Sequence, residues 1–423
     1  MHADKRWLFK GAGSVLAVGL VVSTGAIAAG ARVGSQAKQP RPLSSVAPYI
    51  HQVTNINFPA PYLPTASFDI GFVDSTTHTY YLADRTNAGV DAVNTATDTF
   101  GGVIGAGQFV GPSPTVTAAQ KTACGTSTAG PNGVLSLTVS GSNQVWAADG
   151  VSATAPVSNV KVYTMSSGTA GALAATIPTG NSTFGTSGVC RADEMAYDPT
   201  DNLVIVANDV DSPPYLSLIS VSATPSQDAV VAQIKFPNAT GGIEQSAYDA
   251  ATGMFYSNIP GVELAVIDPK TKAIAATYSE PNCVSSGLTL DPTTQQLLVS
   301  CGINPLGSML MSAKTGAVLA RFPQISGADE IWYDSGSNNF YLGANRMTSN
   351  GSTTGFATPA IGVISAGGTK TQTRAAWVEN VPAGATTANN HSVAADPTNH
   401  QIFVPIASYG IAVFAKNRTT TGL

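Results

Sequence analysis

The sequence predicts an all-β chain folded as a single β-propeller, with seven four-stranded blades. Three observations predict it: a composition poor in helix formers, one strand–turn–strand phrase that recurs along the chain, and a last copy short of a strand that the beginning can supply. Of the 423 residues, 42 are Gly and 26 are Pro, and only 11% are charged. Long amphipathic helices draw on Leu, Glu, Lys and Arg, whereas short strands and tight turns draw on Thr, Ser, Gly and Asp. A net charge of −5, with no Lys/Arg cluster beyond the N-terminal segment, argues against nucleic acid as a partner.

The recurring phrase is a polar residue, a short apolar strand, a D-P-T or D-x-x turn, and a second apolar strand. It occupies Phe68 to Asp84, Ala192 to Asp209, Ile243 to Asn258, Ser286 to Cys301, Ala328 to Asn345 and His391 to Ala407. A weaker copy runs from Gly133 to Asp149, making seven. Further strand-like runs follow the copies, as in Gly89 to Ile104, Glu263 to Tyr278 and Ser308 to Phe322. The residues between runs have hairpin-turn chemistry, and four strands per repeat is the signature of a propeller blade. After the last copy only Gly410 to Lys416 remains, so Tyr49 to Phe58 is expected to complete that blade and close the ring without an open edge. The alternative, a pair of β-sandwiches, predicts no single repeated turn phrase.

The N-terminus reads as an export signal over residues 1–28. Lys5, Arg6 and Lys10 precede a small-residue apolar stretch from Ser14 to Ala28, which ends in an A-x-A site at Ala26-Ile27-Ala28. An uncleaved anchor is the competing reading, disfavoured by the weakly hydrophobic Ala/Gly content. Residues 29–46 read as a flexible leader and 47–423 as the propeller, giving a periplasmic or extracellular protein, expected to be a monomer without stable membrane insertion. Export makes disulfides the expected state of the four cysteines. Cys283 and Cys301 are equidistant from Pro292 in a predicted hairpin turn, which sets them opposite each other and leaves Cys124 to pair with Cys190.

The copies align on the residue ending the first strand: Asp74, Asp198, Asp249, Asp291, Asp334 and Asp396. These turn aspartates are explained by local capping. Five residues earlier stand Asp69, Asp193, Glu244, Ser286, Asp329 and His391, while the weak copy offers Leu135 with Asn132 upstream. Equivalent strand starts in a ring face one channel mouth. The ends of the second strands return there, adding Asp84, Arg85, Asp149, Asn208, Asp209, Asn258, Asn345 and Arg346 as ligand-binding candidates. Several carboxylates around one opening repel unless a cation, Arg85 or Arg346 compensates them, so the ring is a site candidate on physical grounds. Tyr197, Tyr248, Tyr333 and Trp332, just before the turns, read as core between blades.

The phrase D-I-G-F-V-D followed by T-Y-Y-L-A-D, from Asp69 to Asp84, resembles the blade start of the SMP-30/gluconolactonase calcium-dependent lactonases. The D-P-T…L-x-V-A-N phrases resemble YVTN and NHL repeat propellers. The lactonase resemblance implies that Asp69, Asp193, Glu244 and Asp329 are oxygen ligands to a divalent cation, and calcium suits the all-oxygen set. With a cation there, His391, the one histidine at this end of the strands, is the natural general base or a further ligand. That family is usually six-bladed, and its metal-binding asparagine has no obvious match here. Two function classes therefore stand: a binding propeller for a small molecule or an envelope protein or polymer, and a cation-dependent hydrolase. No G-x-S-x-G, H-E-x-x-H, P-loop or dinucleotide motif is present.

Overall fold

The computed structural model describes residues 50–165, 171–239, 241–260, 262–302, 307–323, 325, 327–345, 360–366 and 390–416, and the backbone of 375–379. Residues 1–49, which hold the expected signal and leader, and Arg346 lie outside the described residues.

Seven four-stranded antiparallel sheets form the propeller, each running from an inner to an outer strand. Blade 1 comprises Phe68–Asp74, Thr79–Asp84, Gly89–Asn94 and Thr99–Ile104. The inner strands of blades 2 to 7 are Val134–Val139, Met195–Asp198, Ser246–Asp249, Ser285–Asp291, Ile331–Asp334 and Ala394–Asp396. Blade 7 continues through Gln401–Ile406 and Gly410–Lys416, and its outermost strand is Ile50–Ile56, from the other end of the chain. That pairing runs from Ile50 opposite Lys416 to Ile56 opposite Ile411, which is the closure the sequence predicts.

Burial follows radius. The second strand of blade 3, LVIVAN, is buried throughout, whereas the outer strand of blade 4, AIAATY, is almost wholly exposed. A strand covered on both faces needs a continuous apolar run rather than an alternating one. The core is therefore a set of layers between blades. Trp146 and Val160 of blade 2 pack with Val204 and Ile219 of blade 3, and Tyr80 and Leu82 of blade 1 pack with Phe403 and Val413 of blade 7. Tyr197, Tyr248, Tyr333 and Trp332 lie half-buried against these layers.

The repeated turn aspartate has a local cause. Each of the six accepts a hydrogen bond from the backbone N–H two residues on, at 2.7–3.0 Å, as from Thr76 to Asp74 and Thr200 to Asp198. Two residues later the chain turns left-handed, at Asn202 and Gly253 among others. Blade 2 lacks the phrase because a two-residue turn replaces it: Val139 pairs with Ser142, and Ser140 and Gly141 both have positive φ.

Among the described residues, one α-helix departs from the β pattern. Ala118–Cys124 lies between blades 1 and 2, started by a capping box in which Thr117 and Gln120 bond reciprocally. Its last residue forms a disulfide with Cys190, just ahead of blade 3, and the second disulfide joins Cys283 to Cys301 across the inner hairpin of blade 5. Both pairings are those expected from the hairpin argument. Among the described residues, no helix is long and apolar enough to cross a membrane.

Closure is testable through one side chain. Ile50 is fully buried, while Val53 on the same strand is exposed. Ile50→Ala is expected to cost about 2–5 kcal/mol in urea unfolding, whereas Val53→Ala should cost under about 0.5 kcal/mol.

Candidate functional site

The inner strands begin at the channel, and residues at or just before their starts gather at its mouth. All six start residues are buried there: Asp69, Asp193, Glu244, Ser286, Asp329 and His391. Blade 2 contributes Asn132, also buried, because Leu135 turns into the apolar layer shared with blade 3.

A connected polar cluster forms on the side of blades 7, 1, 2 and 3, with Arg191 as its hub. The Nη2 atom of Arg191 lies 2.5 Å from Asp193 and 2.7 Å from Asp209, and its Nη1 lies 3.6 Å from Asp69. Its Nε also donates to Asp209 Oδ1 at 3.2 Å, which with Nη2 on Oδ2 makes a bidentate arrangement. Arg85 pairs with Asp69 and donates to Asn132 at 2.6 Å. Asn132 in turn donates to the carbonyls of Ala129 and Ala192. From blade 7, His391 Nε2 stands 3.0 Å from Asp69, and its ring stacks on Phe68 with centroids 4.8 Å apart.

The electrostatics follow from these contacts. Burial alone would raise the Asp69 pKa, but Arg85, the His391 hydrogen bond and Arg191 outweigh it and hold the carboxyl well below the usual range. Burial likewise works against a charged Arg191, and Asp193, Asp209 and Asp69 reverse the effect. Three carboxylates thus share two guanidinium groups. Ionised Asp69 can only accept, so the hydrogen between it and His391 resides on Nε2.

On the other side of the mouth, long polar side chains reach backbone groups of neighbouring blades. Gln245 Oε1 accepts from Leu288 N at 2.7 Å and Ile331 N at 3.2 Å, spanning blades 4, 5 and 6. Glu330 Oε2 accepts from Ser392 Oγ, from Val393 N at 3.2 Å and from Gly71 N at 3.3 Å, spanning blades 6, 7 and 1. Burial pushes the Glu330 carboxyl up to about 8 despite these donors. Ser286 donates to the carbonyl of Ala328.

The remaining sequence candidates form ties between or within blades. Asn208 donates to Ser158 and Thr179 of blade 2, and Asn258 donates to the carbonyls of Ser286 and Gly287 in blade 5. Asp149 pairs with Lys161, and Asp84 binds Thr65, Thr86 and Asn87. Asn345 follows the second strand of blade 6 and is half-buried. Sequence reasoning missed Arg191 and Gln245 as organising residues. A signal for Arg191 existed: it is one of few cations in the chain and immediately precedes the phrase Ala192-Asp193-Glu194.

Two of the four oxygen ligands implied by the lactonase resemblance, Asp69 and Asp193, are already engaged by cations. Calcium takes about six to eight oxygens at roughly 2.3–2.6 Å. Asp69 and Asp193 instead direct their carboxylates at guanidinium groups. Among the described residues, no group of three or more His, Cys, Asp or Glu side chains is arranged to hold a metal ion.

If Arg191 neutralises the mouth, Arg191→Met leaves three buried carboxylates competing for Arg85 and should cost about 3–5 kcal/mol at neutral pH. The Asp69 pKa is lowered in the fold, so its stabilisation is present above the ordinary carboxylate range and lost as pH falls. The deficit of Arg191→Met, read from urea midpoints, is therefore expected to shrink on acidification.

No family model matches the chain, and no curated protein matches it in sequence. Solved structures do resemble it in fold. One chain in the crystal structure of a mitotic checkpoint complex aligns with a TM-score of 0.53, covering 91% of this chain and 97% of that one at 8% identity. At that identity the likeness is one of architecture: a seven-bladed, four-stranded propeller.

Proposed function

We propose that the protein is an exported binding propeller of the cell envelope, related in type to the YVTN and NHL repeat propellers. Its channel mouth would offer a rigid polar surface to a small molecule or to a group on an envelope protein or polymer. The observation that carries this reading is the Arg191 cluster. Each of its three carboxylates already faces a guanidinium group, so they hold a fixed pattern of donors and acceptors rather than a reactive group seeking a partner. Two disulfides and the N-terminal pattern of Lys5, Arg6, Lys10 and Ala26-Ile27-Ala28 support export to an oxidising compartment.

A divalent-cation-dependent, lactonase-like hydrolase is the second reading. One observation favours it: His391 is oriented by Asp69 at 3.0 Å, as a general base would be. Against it, that same aspartate is paired with Arg85.

Elemental analysis, thermal melts with EDTA and assays on a panel of lactones separate the two readings. The binding reading expects no stoichiometric calcium, a Tm indifferent to chelator and no turnover. Retained calcium, together with lactone hydrolysis abolished by His391→Ala, would instead establish the hydrolase. Export is checked by N-terminal sequencing of protein secreted by a bacterial host, with Ala29 expected as the first residue.

A further inference from the structure

Two aspartates on the second and third strands of blade 1 share the face that packs on blade 7. Leu82 pairs with Asp91 and Asp84 with Gly89, which sets the two carboxyl groups diagonally across one strand pair. Both residues are fully buried. Tyr80, Leu82 and Val93 on this face meet Phe403, Ile411 and Val413 of blade 7, so the pair lies at the seam where the ring closes.

The hydrogen bonding of the two carboxyls is unequal. Asp84 Oδ1 accepts from Thr65 Oγ1 at 2.9 Å and from Thr86 N at 2.8 Å, and its Oδ2 accepts from Asn87 Nδ2 at 2.5 Å. A carboxylate has about four acceptor positions, so one position on Oδ2 is left. Neither oxygen of Asp91 meets a donor in ordinary geometry, and the group acting on it is the Asp84 carboxyl. Two ionised carboxylates side by side without solvent would repel strongly, and a proton on one turns the repulsion into a hydrogen bond.

We propose that Asp91 carries a proton in the folded protein and donates it to Asp84, and that this buried acid pair is a pH-sensitive latch on the seam between the first and last blades. The latch acts through Asp84. Thr65, held by Asp84, accepts a hydrogen bond from Ser408 N at 2.7 Å, in the turn between the second and third strands of blade 7. Asn87, also on Asp84, donates to the carbonyl of Leu63 at 2.8 Å. Asp84 thereby fixes the segment that leads from the closing strand into blade 1. Among the described residues, Asp91 also acts on the Tyr80 hydroxyl, as Glu330 of blade 6 does, and the apolar layer on this face includes Phe403, Ile411 and Val413 of blade 7.

Burial and then the neighbouring Asp84 raise the Asp91 carboxyl well above its ordinary range, and burial raises Asp84 as well. The folded state therefore holds a proton that the unfolded chain has released. Stability from this pair is complete below the ordinary carboxylate value of about 3.9 and is lost as pH rises toward the folded pKa.

The test is thermal melting of the parent and of Asp91→Asn across the range from about pH 5 to about pH 9. The amide of Asp91→Asn mimics the protonated acid, because its N–H can donate to Asp84 at any pH. A Tm that falls more steeply with pH in the parent, with the variant at least as stable at the alkaline end, supports the latch. Equal slopes, a variant less stable at alkaline pH, or a parent stabilised by added calcium where the variant is not would each overturn it. If the variant does not fold, native-state hydrogen exchange of the parent serves instead. Protection at Ser408 N and Thr86 N that weakens with rising pH, after correction for intrinsic exchange, supports the proposal, and constant protection overturns it.

Discussion

The pairing of Ile50–Ile56 with Gly410–Lys416 is the interaction on which the rest of the structure depends. A blade has two faces to bury and can bury them only against neighbours, so an open row of blades would leave apolar layers exposed at both ends. Closing the row converts those ends into one more inter-blade layer, where Tyr80 stacks on Phe403 with ring centroids 5.3 Å apart. The same closure has an electrostatic consequence. Once all seven inner strands begin around one channel, whatever polar groups precede them are brought together and removed from bulk water.

The chain meets that consequence by two means. Around blades 1 to 3 it uses guanidinium groups, and Arg191 alone serves three aspartates from two blades. Among the described residues around blades 4 to 7 it also uses long polar side chains, Gln245 and Glu330, which reach over one blade to backbone groups of the next. Arginine suits the first task because its planar fork satisfies several acceptors at once. The amide and the carboxyl suit the second because unpaired N–H groups at irregular strand starts need acceptors. In a chain with only 11% charged residues, concentrating arginines at the mouth marks it as the place where charge has to be balanced.

What was legible in the sequence was whatever local chemistry dictates. The turn aspartates recur because each caps the same turn, so the blade period and six of the seven copies could be read from them. The missing strand and both disulfides followed from counting strands and placing hairpins. What stayed hidden depends on the radius of the ring. Asp69 and Arg191 meet across two blades, and nothing local relates them. Which member of the adjacent acids Asp193-Glu194 and Asp329-Glu330 faces the channel is not legible from the sequence either. The regular inner strands begin only at Met195 and Ile331, so strand alternation does not apply to the residues before them. The weak second copy has a local cause that composition concealed, a two-residue turn with no need of aspartate. The helix at Ala118–Cys124 carried its own signal in the Thr117 and Gln120 spacing, outvoted by a chain poor in helix formers.

The buried acids at the mouth and at the closing seam are held in opposite ways, and this bears on what the ring is for. Asp69 is kept ionised by cations, so acid removes its contribution to stability. Burial favours a proton on Glu330, with a pKa of about 8, so its contribution is lost as pH rises from the ordinary carboxylate range toward that value. Neither is poised as a solvent-facing acid or base; each is bound into contacts between blades. A catalytic group must change protonation state during turnover without disturbing its support. Here a change at Asp69 would release Arg85 and His391, and a change at Glu330 would alter its bonds to blades 7 and 1. Groups tied so closely to the integrity of the ring suit recognition, which uses a fixed charge pattern, better than proton transfer, which has to alter one.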